Sequence, residues 1–447
     1  MKCAIYILVT ICLVSSTQIE EERVPVTKSV TEIPTATTGQ LKQPIENVIN
    51  NFGLNLLKTM MNQNENQNVV ISPVGIAGLL AMTLLGSTGA TYDQLSQLIG
   101  FSQDILSNRD YHHNFGSLLH DLSSNDTKTL YANAIFVDIH SKLRRVYRMY
   151  LERVYDGQAL HTDFGDSNKA KDDINEWVKN HTNSKIEKFL QQPLPANTKT
   201  VLLSALYFSG QWAEPFVPEY TRKLPFNTPT KEIMIDLMAN FGQFNYLFDI
   251  EDGIQMIQFP YNDSVTGMYV IKPRFSKRLN ISSLLNSLNY EKIDSLINQM
   301  SKKKCVVRFP KMELKNRIDL KDAMKALGAE AMFMPGLANF AVMLDGNGNT
   351  NDTDDNLINR MEGEGTKAQS LREFVDRLPN PGVHIDSVMH EVKIKIDEYG
   401  TEAVAATSAV MARSAETFYT DSPFYMFIRN ENTKLITFSA VIYDPTE

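Results

Sequence analysis

The stretch GTEAVAATSAVMARSAETF, Gly400 to Phe418, decides how this chain is read. A glycine opens a run of small residues that ends at a lone arginine, with no bulky core-forming pattern. Read with period two, Thr401, Ala403, Ala405, Thr407 and Ala409 share one face, and Glu402, Val404, Ala406, Ser408 and Val410 share the other. The first face is small throughout, so it fits between strands already packed over a core, where larger groups would clash. Glu402, on the opposite face, would stay in water. The pattern predicts a strand kept outside a sheet until something frees it to enter.

The segments around it are patterned as strands. VMHEVKIKIDEYG (Val388–Gly400) alternates, and His390 within it is expected to make a structural hydrogen bond. PFYMFIRN, LITFSAVIYDP, TLYANAIFVD, TVLLSALYFSGQW, GIQMIQFPY and TGMYVIKP also read as strands. Helical spacing joins Val48, Phe52, Leu56 and Met60, and VGIAGLLAMTLLG is apolar all round, as a buried helix is. DLKDAMKALG is a helix with Asp319 placed to cap it and Gly328 to end it. Strands without regular βα alternation indicate the α+β class.

The start, MKCAIYILVTICLVSSTQIEEER, carries Lys2, an apolar run from Ala4 to Val14, then small residues. This is the pattern of a secretory signal over 1–16, and the run is too short for a membrane anchor. Residues 17–44, rich in Thr, Pro and Glu, read as a flexible tail, and 45–447 as a single domain. Cys3 and Cys12 leave with the signal, so Cys305 is the only cysteine of the mature chain and is expected to be buried and inert. Asn125, Asn180, Asn262, Asn280 and Asn351 head five glycosylation sequons, which fits a secreted extracellular glycoprotein. The formal charge of −8 argues against a general nucleic-acid binder.

Residues 345–381 break the pattern: they are polar, acidic and Gly/Asn-rich, and are expected as an exposed insertion. Asp345, Asn347 and Asn349 alternate as in a calcium loop. Thr350 replaces the turn glycine and Asn356 the closing glutamate, so no metal is expected. The helix KLRRVYRMYLERVY carries Lys142, Arg144, Arg145, Arg148 and Arg153. Its basic side is either a solvated face or a site for an acidic polysaccharide. SKKKC (Ser301–Cys305) reads as a strand edge or turn. His112-His113 lies in a polar segment and is expected at the surface. No nucleophile elbow, phosphate loop, HExxH or Cys/His metal spacing occurs, so the expected function is binding, with no catalytic residues and no cofactor.

From about residue 45 onward the chain resembles the serpins. The resemblance is carried by NVVISPVGIAGLLAMTLL, YANAIFVD, INEWVKNHTNSKI, LLSALYFSGQWAEPF, VMHEVKIKIDEYGTEAVAAT and SPFYMFIRNENTKLITFSAVIYDP. It implies a monomer of three β-sheets and about nine helices, with an exposed reactive loop over about 398–422. Glu398 and Gly400 match the start of the family's hinge, and Thr401, Glu402, Ala403, Val404, Ala405, Ala406 and Thr407 its small-residue run. The implied partner is a trypsin-like serine protease that attacks the loop as bait and is held as a covalent acyl complex. Arg413-Ser414 is the expected scissile bond, with Ser414-Ala415 and Met411-Ala412 as alternatives. A non-inhibitory serpin acting as a carrier or interaction protein is the other reading. Ser204, Ser439 and Ser184 stand where relatives usually have Asn, Gly and Gly.

Overall fold

A computed structural model describes residues 43–124, 128–274, 280–346, 350–362, 367–400 and 415–447. All fall in one compact unit, Gly39–Glu447. The signal and most of the tail, Asn125, the hinge run Thr401–Thr407 and the Arg413-Ser414 bond lie outside the described residues.

Helix α1 (Ile45–Gln63) buries Val48, Phe52, Leu56 and Met60, the face that the spacing predicts. Strand β1 (Val69–Ile71) ends at Ser72, whose side chain accepts from the Gly75 amide and caps α2 (Pro73–Leu85). Then come α3 (Gly89–Ile99), α4 (Ile105–Ser124), β2 (Lys128–Asp138), α5 (Arg145–Tyr155), β3 (Gln158–Thr162), α6 (Ser167–His181) and β4 (Thr200–Ser209). Four strands follow in succession: β5 (Arg222–Asn227), β6 (Glu232–Asp249), β7 (Ile254–Pro260) and β8 (Thr266–Pro273). Helices α7 (Ile281–Ser287) and α8 (Tyr290–Gln299) lead into β9 (Ser301–Pro310), β10 (Met312–Asp319) and α9 (Lys321–Ala326). Last come α10 (Thr350–Glu362), α11 (Ala368–Asp376), β11 (Ser387–Ile396), β12 (Glu416–Tyr419), β13 (Phe424–Asn430) and β14 (Ile436–Ile442).

The strands form two ladders. One has five strands in the order β10-β11-β4-β2-β3, and the other nine, β1-β14-β13-β8-β7-β6-β9-β12 with β5 also on β6. The 18-residue β6 pairs β5 and β9 over most of its length and β7 only at Tyr246–Asp249. The larger ladder therefore has two lobes sharing one strand, and with the five-stranded ladder these are the three expected sheets. Among the described residues the nine expected helices are α1–α9; α10 and α11 belong to the insertion.

Alternation divides the five-stranded sheet between two cores. Leu202, Leu206, Phe208, Val388, Val392 and Ile394 point inward against the helices and the larger sheet. Val201, Leu203 and Ala205 face out, where Ile174 and Val178 of α6 and Phe189 cover them.

The insertion differs from the exposed loop expected of it. It folds as two helices, and Leu357, Leu371, Val375 and Leu378 are buried against Val146, Ala341 and Val342. Its acidic residues meet the basic helix. Arg144 is 1 % exposed and is held by Asp354 at 3.1 Å, Asp345 at 3.3 Å and the Ala341 carbonyl at 2.7 Å. Arg145 pairs with Asp355, and its amide donates to Asp354 at the N-terminus of α5. The two features without a role in the sequence are each other's partners. His112 also departs from its expected surface position: it is buried on α4 against Tyr155, and burial pushes its pKa down to about 3. His113 is exposed.

Candidate functional site

The described residues that flank 401–414, the stretch expected to be a reactive loop, are anchored on different sheets. Strands β11 and β4 lie side by side and parallel, from Ser387 opposite Val201 to Ile394 opposite Phe208. Each is antiparallel to its outer neighbour, β10 and β2. This pair is a parallel seam in the middle of the sheet, and the loop leaves from its upper end.

At that end the chain turns back at Asp397–Gly400. Gly400 bridges antiparallel to Asp397 on one side and to Gln211, just past β4, on the other. Gly400 therefore already lies between the continuations of the two seam strands, just past the ends of β11 and β4. Its φ of +101° is open to glycine, and a Cβ there would sit 2.2 Å from the Gly210 carbonyl oxygen. The Trp212 amide donates to the Tyr399 carbonyl at 3.2 Å and the Phe216 amide to that of Glu398 at 2.7 Å. Trp212 Nε1 donates to the Asp397 carbonyl at 3.0 Å, with its ring stacked on Tyr261 at 4.5 Å.

Glu398 is buried in this turn. Lys311 Nζ donates to its Oε2 at 2.7 Å and Thr221 Oγ1 to its Oε1 at 2.8 Å. Burial pushes the carboxyl up, but the bonds from Lys311, its own amide and Thr221 outweigh burial and hold it below the usual carboxylate range. A lowered folded pKa gives stability that is present above the unfolded value, about 4.3. That stability is lost as the pH falls through the folded one. We expect Glu398→Gln to unfold in urea about 1 kcal/mol more readily at neutral pH, Lys311 being partly solvated. The difference from wild type should vanish near pH 3, and a constant difference would refute the coupling.

Halfway down the seam, Asn133, Ser204 and His390 sit in register on β2, β4 and β11. The Ser72 amide donates to His390 Nε2 at 3.0 Å, the structural bond expected of this histidine. Burial pushes its pKa down to about 3, so it is neutral at physiological pH. Asn133 Nδ2 donates to the Gly75 carbonyl at 3.0 Å. Ser204 Oγ and Asn133 Oδ1 have no hydrogen-bond partner among the described residues. Ser184 adopts φ 60°, the left-handed geometry of the glycine it replaces, and Ser439 Oγ meets Tyr425 OH at 3.1 Å.

The other end of the loop joins β12, which pairs parallel with β9, Glu416 opposite Cys305. Cys305 is buried, and burial pushes its thiol up to about 11, which keeps it unreactive. Asn180, Asn262 and Asn280 are exposed, and Asn280 also caps α7 by accepting from the Ser283 amide; Asn351 falls in α10. The basic residues read as a polysaccharide face are partly engaged, Arg144 being buried and Arg145 paired. The sequence did not single out Lys311, Thr221 or Trp212 as partners of the hinge.

Residues 47–445 match the family described as Serpin (serine protease inhibitor). Serine protease inhibitor 28Dc of Drosophila melanogaster is 26% identical over 470 residues, covering 97% of this chain and 84% of the relative. Iripin-1 of Ixodes ricinus is 28% identical over 404 residues, covering 88% and 93%. Among solved structures, native protease nexin-1 with heparin superposes with a TM-score of 0.73 at 25% identity, covering 90% of this chain and 99% of that one.

Proposed function

Since this chain belongs to the serpin family, we propose that it is a secreted extracellular glycoprotein that inhibits trypsin-like serine proteases, one molecule consuming one protease. The protease serine attacks the Arg413 carbonyl carbon, the bond to the Ser414 nitrogen breaks, and the new amine leaves with a proton. The ester that remains is the acyl-enzyme. The freed arm then enters the β11–β4 seam and carries the protease with it before water can attack the ester. Its natural setting is an extracellular proteolytic cascade.

The observation that carries this reading is the double pairing of Gly400. Continued downward, its pairing with Asp397 sets Ala403 beside Ile394, Ala405 beside Val392 and Thr407 beside His390. Continued from Gln211, it sets the same residues beside Phe208, Leu206 and Ser204. The two projections agree with the observed β11–β4 register at every step. They turn the small face inward and bring the Thr407 hydroxyl level with the unpartnered Ser204 Oγ. Glu402 falls outside, level with Lys395. The parallel seam becomes a fully antiparallel run, and Arg413 moves about 40 Å along the sheet.

An entering strand of about ten residues adds one new ladder, at roughly 1 kcal/mol net per bond, or on the order of 10 kcal/mol. Trypsin-cleaved protein should therefore melt at least about 10 °C above the intact form in differential scanning calorimetry. The carrier reading expects no rise, and an unchanged melting temperature after complete loop cleavage would exclude the trap. On the basic helix Arg144 is buried and Arg145 pairs with Asp355, which leaves Lys142, Arg148 and Arg153 exposed as the face that an acidic polysaccharide would meet.

A further inference from the structure

We propose that Lys302, Lys303 and Lys304 on β9 form a docking strip for the attacking protease, one that favours proteases with an acidic rim beside the active-site cleft. The inference rests on the reading of Arg413-Ser414 as the cleaved bond. Strand β9 pairs β6 along its whole length, from Ser301 opposite Tyr246 to Pro310 opposite Leu237. It pairs β12 only from Cys305 onward. The head of β9, Ser301–Lys304, therefore has no strand on its outer side among the described residues, and all four residues are exposed.

Lysine on an open strand edge commonly serves to discourage pairing with another sheet. Successive strand residues point to opposite faces, so three lysines in a row put positive charge on both. Their ammonium groups make no ion pair among the described residues, unlike Lys315 on β10 and Lys393 and Lys395 on β11, in the five-stranded sheet. Glu416, opposite Cys305, is an exposed acid nearby, and the exposed Arg274 opposes its electrostatic effect on Tyr246. The strip is locally basic on a chain whose formal charge is −8. A protease with an acidic rim is repelled by the molecule at large and attracted here, which favours productive orientation.

The placement identifies the occupant. Arg413 precedes Glu416 by three residues, so at most about 10 Å of chain separates them. Lys304 adjoins Cys305, the direct cross-strand partner of Glu416. A protease domain of about 230 residues has a radius of gyration near 17 Å, so one that grips residue 413 overlies the head of β9.

The test compares anionic and cationic trypsin as attackers of the full chain, reading the second-order rate at which intact loop disappears, at about 0.05 M and about 0.5 M salt. At low salt, K302E/K303E/K304E should lower the anionic-to-cationic rate ratio about tenfold relative to wild type. The K302Q/K303Q/K304Q variant should fall between, and the effect should shrink at high salt. A rate ratio unchanged by both variants overturns the proposal. Loss of heparin-agarose retention with unchanged rates also overturns it, and would make the strip a polysaccharide site. Loop disappearance reports docking even where no SDS-stable complex forms, so failed trapping counts against the inhibitor reading and not against the strip.

Discussion

Arg413→Ala is expected to lower the rate of SDS-stable complex formation with trypsin about a thousandfold or more. A trypsin-type specificity pocket ends in a buried carboxylate, and an arginine side chain satisfies it with paired charge-assisted hydrogen bonds. Alanine leaves that carboxylate desolvated and unpaired, a loss concentrated in the acylation step. The competing bonds, Ser414-Ala415 and Met411-Ala412, offer no cation at the cleaved position. Mass spectrometry of the fragment released by trypsin distinguishes them, since each bond gives a different new N-terminus. A complex that forms at the wild-type rate with alanine at 413 would remove Arg413 from the bait position.

Ala405→Glu is expected to leave loop cleavage by trypsin nearly unchanged and to abolish trapping. The projected register sets residue 405 between Leu206 and Val392, both 0% exposed, so the new carboxylate would enter a dry core without a partner. An unpaired buried charge is penalised by several kcal/mol, enough to slow insertion by about a thousandfold and let water reach the ester first. The protein then becomes an ordinary substrate, and the molar ratio needed to silence trypsin rises from near one to well above ten. Val404→Glu is the control: it falls on the outer face level with the partly exposed Lys393, and trapping should survive it. If both variants trap equally well, the small face does not turn inward.

Much of this fold can be read from local pattern because most of its elements are regular. Alternation in 388–396 and the apolar run in 200–208 mark the two seam strands, and the spacing of Val48, Phe52, Leu56 and Met60 marks the buried face of α1. Gly400 could be singled out because its neighbours are small. The reason it must be glycine, contact with the Gly210 carbonyl, is tertiary. The partners of Glu398 lie 87 and 177 residues away, at Lys311 and Thr221, and no local rule points to them. The helices of the insertion were hidden for a related reason. Leu357, Leu371, Val375 and Leu378 are sparse on their own and form a core only against Val146, Ala341 and Val342. His112 was misplaced because its burial depends on Tyr155, on the next helix.

The strand order of the larger sheet also bears on how the molecule is made. Strand β1 is translated early, yet its partner is β14, and β13 and β14 separate it from β8. A nascent chain must hold β1 and β8 apart, or loosely collapsed, until β13 and β14 have been made. Completion of that sheet therefore waits on β13 and β14, and the waiting edges of β1 and β8 are where chaperones would be needed.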